Sequence, residues 1–548
     1  MTSKNKLDDL INPQNNNQKK NESKVKKFKK TVIRVIHGII EFVIRGLLHL
    51  IYRGPGESMP PIKDLILLES ATSLAYKIRT KKLKSSDVVE SFITRIQEIN
   101  PLLNCVIAPR FEEARAEAKK VDDLIESNVF TEEILAKEKP FFGVPFTTKD
   151  GIAVKDMPHT SGLYKRRNIV ATEDGDAIGL LRKAGAIPLA LTNIPELCMW
   201  WETGNVIYGR TNNPYDTTRI VGGSSGGEGC NQAAAGTAFG VGSDIGGSIR
   251  MPAFFNGVFG HKPSPGIVSI KGQYPIPTSD EQRSFLGIGP MCRRAEDLLP
   301  ILKIISDKKA VELRLDDPVD VSKIRFFYQE NDTGSKFVSP VSLDIKLALR
   351  DVIKYLEKTH KIKAQKTHFT QFDKSADLWF ANMKAEHCPK FQEQLANCEG
   401  SINVSWELLK WCVGQSNHTF IVLMTAIVEN LGIQYGTPKY EYLVQVRNNF
   451  KRDLIQLLGD DGVLIYPTHP TAAPYHHEPI YKPLNFSYTG IINVLQLPAT
   501  ACPLGLGSEG LPIGIQVVAA PNQDRLCLAV ARELEKAFGG WVPPPILA

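Results

Sequence analysis

The chain has no Cys-x-x-Cys pair and no closely spaced group of histidines and cysteines. Its nine cysteines are scattered from Cys105 to Cys527, so neither a disulfide framework nor a zinc site is indicated, and they read as free, mostly buried thiols. No internal repeat is present, and no Pro/Gly/Ser-rich linker divides the chain after about residue 70, which favours one large domain. A strong charge of one sign is also missing. The 66 Lys and Arg stand against 59 Asp and Glu, and seven lysines between Lys19 and Lys30 account for much of the excess. A basic nucleic-acid surface is therefore not indicated, and no nucleic-acid partner is expected. With 43% hydrophobic and 23% charged residues, the composition is that of an ordinary globular protein.

Long apolar runs free of charge are scarce too. The nearest candidate, Val32 to Tyr52, carries Arg34, His37, Glu41, Arg45 and His49, which fall with Gly38 within an arc of roughly 120° on a helix. Each central ion costs about 2.5–3.5 kcal/mol in a spanning helix, against about 0.3–0.6 kcal/mol returned per aliphatic residue, so spanning comes out near zero. An in-plane helix with its charged stripe among headgroups fits the pattern at least as well. A single-pass anchor and a helix packed on its own domain stay open. The expected organisation is a disordered basic tail over 1–30, a membrane-anchoring helix over 31–53, a connector over 54–69 and the main domain over 70–548.

Within that domain, short apolar runs at Val144 to Thr148, Ile187 to Thr192, Val463 to Tyr466 and Ile513 to Val518 alternate with helical patterns such as Val88 to Ile96. This predicts an α/β domain with a mixed sheet inside helical layers. The stretch from Val311 to Leu458 is helix-like and carries no chemical motif.

Glycine and serine crowd into one segment, VGGSSGGEGCNQAAAGTAFGVGSDIGGSIRMPAFFNGVFGHKP, from Val221 to Pro263. Glycine permits close backbone approach, so such a run can aim several N–H groups at one point, as an oxyanion requires. The segment Asp244-Ile245-Gly246-Gly247-Ser248 supplies both a hydroxyl nucleophile and the amides around it. A serine needs a base, and no histidine lies near. Upstream, Phe146-Thr147-Thr148-Lys149-Asp150-Gly151 ends a predicted strand with a lone lysine, whose amine becomes a base if burial strips its charge. A lone lysine is far more often a solvated surface charge, and its context has to reverse that reading. Phosphate binding is disfavoured because the loop lacks the Lys-Ser/Thr ending of a P-loop. Gly222-Gly223-Ser224-Ser225-Gly226 matches G-x-S-x-G, but loop-forming residues from Asn212 to Arg219 stand where the nucleophile elbow needs a strand. The pair His476-His477 lacks a third ligand at metal spacing.

The blocks GVPFTTKD, GGSSGGEG and SDIGGSIRMPAFFNGVFGHKPSPG, in this order and with Ser248 24 positions after Ser224, closely resemble the amidase signature family. Stretches such as ELCMWWETGN and GLPIGIQVVA are similar to its members that hydrolyse fatty-acid amides. The resemblance implies an amidase-signature fold with helices on both faces of the sheet, no cofactor, and a Ser-cis-Ser-Lys triad. Lys149 would be the base, Ser224 the proton relay on a cis peptide and Ser248 the acylated nucleophile. Ser225 would support Lys149, and the amides of Ile245, Gly246, Gly247 and Ser248 would form the oxyanion hole. Asp244 and Arg250 read as a structural pair. Cys198 and Met199, beside Trp200 and Trp201, fall at the position that lines the acyl channel. The implied substrates are lipid-like amides, primary fatty amides and N-acylethanolamines, and the implied setting is an intracellular membrane of endoplasmic-reticulum or lipid-droplet type, with a homodimer open. Rival readings are the A-type component of a glutamine-dependent amidotransferase and a non-catalytic lipid-binding scaffold.

Overall fold

The structure, a computed structural model, describes residues 13–52 and 57–544. Eleven strands form one mixed sheet. In spatial order they are Val106–Pro109, Ile187–Thr192, Pro145–Lys149, Phe239–Asp244, Gly287–Cys292, Phe259–Lys262, Ala499–Leu506, Pro512–Ala519, Gly462–Pro467, Arg325–Tyr328 and Gln365–Lys366. Successive residues of Gly462–Pro467 go to opposite faces: Val463 and Ile465 join one apolar cluster, Leu464 and Tyr466 the other. Both faces are thus covered, as a sheet inside helical layers requires. The α/β fold class and mixed sheet are as expected.

Pro145–Lys149 runs parallel to both Ile187–Thr192 and Phe239–Asp244, with Thr148 opposite Val241. Their carboxyl ends therefore lie side by side, bringing Lys149 next to Ser243 and Asp244 and to the loop that follows. Crevices beyond the carboxyl ends of parallel strands are where such sheets place their ligands. The helix anticipated near Val88 spans Ser85–Leu103. Its first N–H groups are capped by a distant side chain, since Ser85 and Ser86 N–H donate to the Asp122 carboxylate at 2.6 and 3.0 Å.

The N-terminal helix differs most from expectation. It runs over Pro13–Ile51, so residues 13–30 are its first half rather than a disordered tail. Nothing between Pro13 and Ile51 breaks a helix, and proline suits the first turn. Residues 1–12, and residues 53–56 with the Gly54-Pro55-Gly56 breaker, lie outside the described residues. Among the described residues no helix is long and apolar enough to cross a membrane, which leaves the single-pass anchor without support. The polar stripe also faces the domain instead of headgroups. Ser339 donates to Glu41 at 2.5 Å, Arg45 bonds Glu509 at 2.5 Å, and His49 bonds Tyr475 at 2.8 Å. Val35, Ile36, Ile39, Phe42, Val43, Leu47 and Leu50 are left exposed on the outside.

Candidate active site

Lys149 closes its strand wholly buried, with no carboxylate partner among the described residues. Its Nζ donates to Ser224 Oγ at 2.7 Å, to Ser225 Oγ at 3.2 Å and to the Ser243 carbonyl at 3.4 Å. Burial lowers its pKa, because the ammonium form loses hydration, while the nearby Cys198, Asp244 and Glu228 oppose the shift. Ser224 follows a cis Gly223–Ser224 peptide. Only glycine fits before it, since a Cβ on Gly223 would lie 2.4 Å from the Trp200 carbonyl oxygen. No strand precedes Ser224, so the elbow context is absent.

Ser225 stands at the N-terminal end of the helix Gly226–Ala233 without capping it through its side chain. Its Oγ accepts from Lys149 and from Ser243 N–H, and its own N–H donates to the Ser248 carbonyl at 3.1 Å. Ser248 is thereby drawn beside the two serines, although its hydroxyl makes no hydrogen bond among the described residues. The hydrogen-bonded chain runs from Lys149 to Ser224 and stops short of Ser248. In ligand-free enzymes such links are commonly long and close only around substrate.

The loop Ile245 to Ser248 follows the strand Phe239–Asp244. Its Gly247 N–H donates to Asp244 Oδ1 at 2.7 Å, which withdraws Gly247 from the four expected oxyanion donors. The N–H groups of Ile245, Gly246 and Ser248 have no acceptor among the described residues. Asp244 and Arg250 form a buried pair, with Arg250 Nε and Nη2 each 3.0 Å from the carboxylate. Burial alone would raise the pKa of Asp244, but the Arg250 charge and the donors around it hold it down to about 2.

Of the expected acyl-channel residues, Cys198 lies near the base, its Sγ 3.2 Å from where a Cβ on Gly151 would sit. Met199 instead packs on a small cluster of Leu163, Leu197, Phe391, Leu395, Val422 and Ala426. Trp201 stacks on Phe255 and packs at a tilt against His469 in the core. His476 bonds Glu202 and the Thr217 carbonyl.

Several residues around the site were not singled out from the sequence. Glu228, buried behind the serines, accepts from Thr147, Thr192 and Gln232, and burial lifts its pKa to about 7. The carboxylate of Asp150, next to the base, receives Thr160 and Gly162 N–H and so fixes the turn after Lys149. Trp379, Thr489 and Asn493 bond the carbonyls of the Ile245 loop. Glu228 and Asp150 lie within the glycine-serine and lysine blocks and were readable there as buried acids; the other three lie far downstream and carry no signal.

The family model for Amidase matches residues 87–528. This chain belongs to the amidase signature family and is an amide hydrolase. It is 46% identical over 521 residues to fatty-acid amide hydrolase 2 of Homo sapiens, covering 94% of this chain and 97% of that one. It is 48% identical over 491 residues to fatty-acid amide hydrolase 2-A of Danio rerio, covering 89% and 92%. A solved fatty acid amide hydrolase shares the fold with a TM-score of 0.68 at 22% identity, covering 89% of this chain and 88% of that one.

Proposed function

We propose that this protein hydrolyses fatty-acid amides, primary fatty amides and N-acylethanolamines among them, at a membrane surface through an acyl-enzyme on Ser248. The observation that carries the reading is the amine of Lys149, buried without a counter-ion among the described residues and bonded to two hydroxyls and one carbonyl. Neutral Lys149 takes the Ser224 proton as Ser224 takes that of Ser248, and the Ser248 oxygen attacks the amide carbonyl. The N–H groups of Ile245, Gly246 and Ser248 receive the oxyanion. The relay then runs backwards and protonates the departing nitrogen, which an amide needs because an unprotonated amine leaves poorly. Water hydrolyses the ester along the same path. Identity of 46% to fatty-acid amide hydrolase 2 over nearly the whole chain supports a fatty acyl group over glutamine. The outward apolar face of the N-terminal helix supports contact with lipid as an in-plane element.

A fluorophosphonate probe tests the roles. Ser248→Ala should not label and should not turn over oleamide, whereas Ser224→Ala should label slowly. Labelling that survives in Ser248→Ala and vanishes in Ser224→Ala would make Ser224 the nucleophile.

A further inference from the structure

In a trans peptide the carbonyl and the following N–H point in opposite directions, so whatever holds one fixes the other. Each carbonyl of the nucleophile loop is held. Asn493 Nδ2 donates to the Asp244 carbonyl at 2.9 Å, Trp379 Nε1 to that of Ile245 at 3.0 Å, and Thr489 Oγ1 to that of Gly246 at 2.9 Å. Met251 N–H donates to the Gly247 carbonyl at 2.7 Å. The peptide capped by Thr489 has its N–H occupied by Asp244. Those capped by Asn493, Trp379 and Met251 carry the N–H groups of Ile245, Gly246 and Ser248, the three donors left free among the described residues.

Resting on the function proposed above, we infer that Trp379 is a positioning residue for the oxyanion hole: its indole N–H turns the Ile245–Gly246 peptide so that the Gly246 N–H faces the reacting carbonyl. Two further observations bear on this. The indole lies against the same peptide, since a Cβ on Gly246 would sit 3.4 Å from Nε1. The ring is itself braced edge-on by Phe380 and Phe486, with centroids 5.3 and 5.0 Å away. A hydrogen bond accepted by a peptide carbonyl also polarises the N–H of that peptide, so Trp379 strengthens the donor it aims. Trp379 sits on the helix Ser375–Asn382, which the strand-and-glycine motifs do not include.

Trp379→Phe keeps a ring and removes the N–H. In the full chain, kcat for oleamide should fall about tenfold to a hundredfold, less than the 10²–10³ typical of deleting a donor itself. KM should stay within about threefold, the loss should be equal for long and short acyl amides, and fluorophosphonate labelling should slow in step. Phe486→Leu, which loosens the same ring but leaves its N–H, should lower kcat clearly less than Trp379→Phe does and reports on the packing that braces the indole. An unchanged kcat in Trp379→Phe, a loss confined to KM that grows with acyl length, or equal damage from Phe486→Leu would overturn the assignment. Hydrolysis surviving in Ser248→Ala would instead remove the site on which the assignment rests.

Discussion

Lys149 is a charge-bearing side chain placed where charge is disfavoured. Desolvation is the largest influence on it, so its pKa lies below the ordinary 10.5 and the neutral amine is the form ready to accept a proton. Activity should therefore rise with pH as Lys149 deprotonates, with the acid limb of kcat/KM falling below 10.5. A limb at or above that value would mean a solvated lysine. Lys149→Ala should lose about 10²–10⁴ in kcat/KM, the usual worth of a general base. The loss should be larger for an amide than for an ester of the same acid, because only the amine must be protonated to leave. Equal losses on both would confine Lys149 to activating the nucleophile. At this scale the sequence was informative where residues sit in dense local blocks, as Ser224, Ser225 and Ser248 do in the glycine-serine segment and Lys149 does at the end of its strand. It was silent on Trp379, 134 positions from its carbonyl partner at Ile245, since nothing in an indole's surroundings announces what its N–H will meet.

Among the elements, the N-terminal helix departs furthest from the pattern that predicted it. Its period of about 3.6 was visible, and so was the division into polar and apolar faces. Which face turns inward was not, because that depends on Ser339, Tyr475 and Glu509, scattered in sequence and gathered only by the fold. The Arg45–Glu509 pair is well exposed at both ends and adds about 0–1 kcal/mol, so orientation is owed more to the set of contacts than to any one. Leaving so many aliphatic side chains in water costs about 25 cal/mol for each Å² of apolar surface, and a lipid surface would recover that. Ile39→Asp combined with Phe42→Asp should cut co-flotation with phosphatidylcholine vesicles about tenfold. Hydrolysis of a water-soluble short-chain amide should stay within about twofold, since neither side chain reaches the serines. Unaltered flotation would assign the face to something other than lipid.

Across the whole molecule, the strands whose apolar runs are continuous were readable: Ile187–Thr192, and Gly462–Pro467 within a residue. Arg325–Tyr328 and Gln365–Lys366 were not: the first is an apolar run of only four residues inside a helix-like stretch, and the second is a two-residue edge strand of exposed polar side chains. Burying so large a sheet also traps acids. Desolvation lifts Glu228 to about 7 and both Asp150 and Asp297 to about 6. A carboxyl whose folded pKa exceeds its unfolded one favours the fold fully below the unfolded value, and that contribution drains away as pH rises to the folded value. For these three groups the decline runs from about pH 4 to about 7, opposite in sign to Asp244, which costs stability only as pH falls toward about 2. The protein should therefore melt at lower temperature at pH 8 than at pH 5.5. Glu228→Gln removes the largest of the three ionisations and keeps the shape. A shift of this size corresponds to about 3 kcal/mol, or about 2–3 °C in Tm for a chain this long. The gain over wild type should appear in calorimetry at pH 8 and shrink to nearly nothing by about pH 4, where Glu228 is protonated in the folded chain and largely so in the unfolded one. A loss of stability at every pH would mean that the carboxyl is charged throughout, held by Lys149 in a closed pair, and the base would then be protonated at rest.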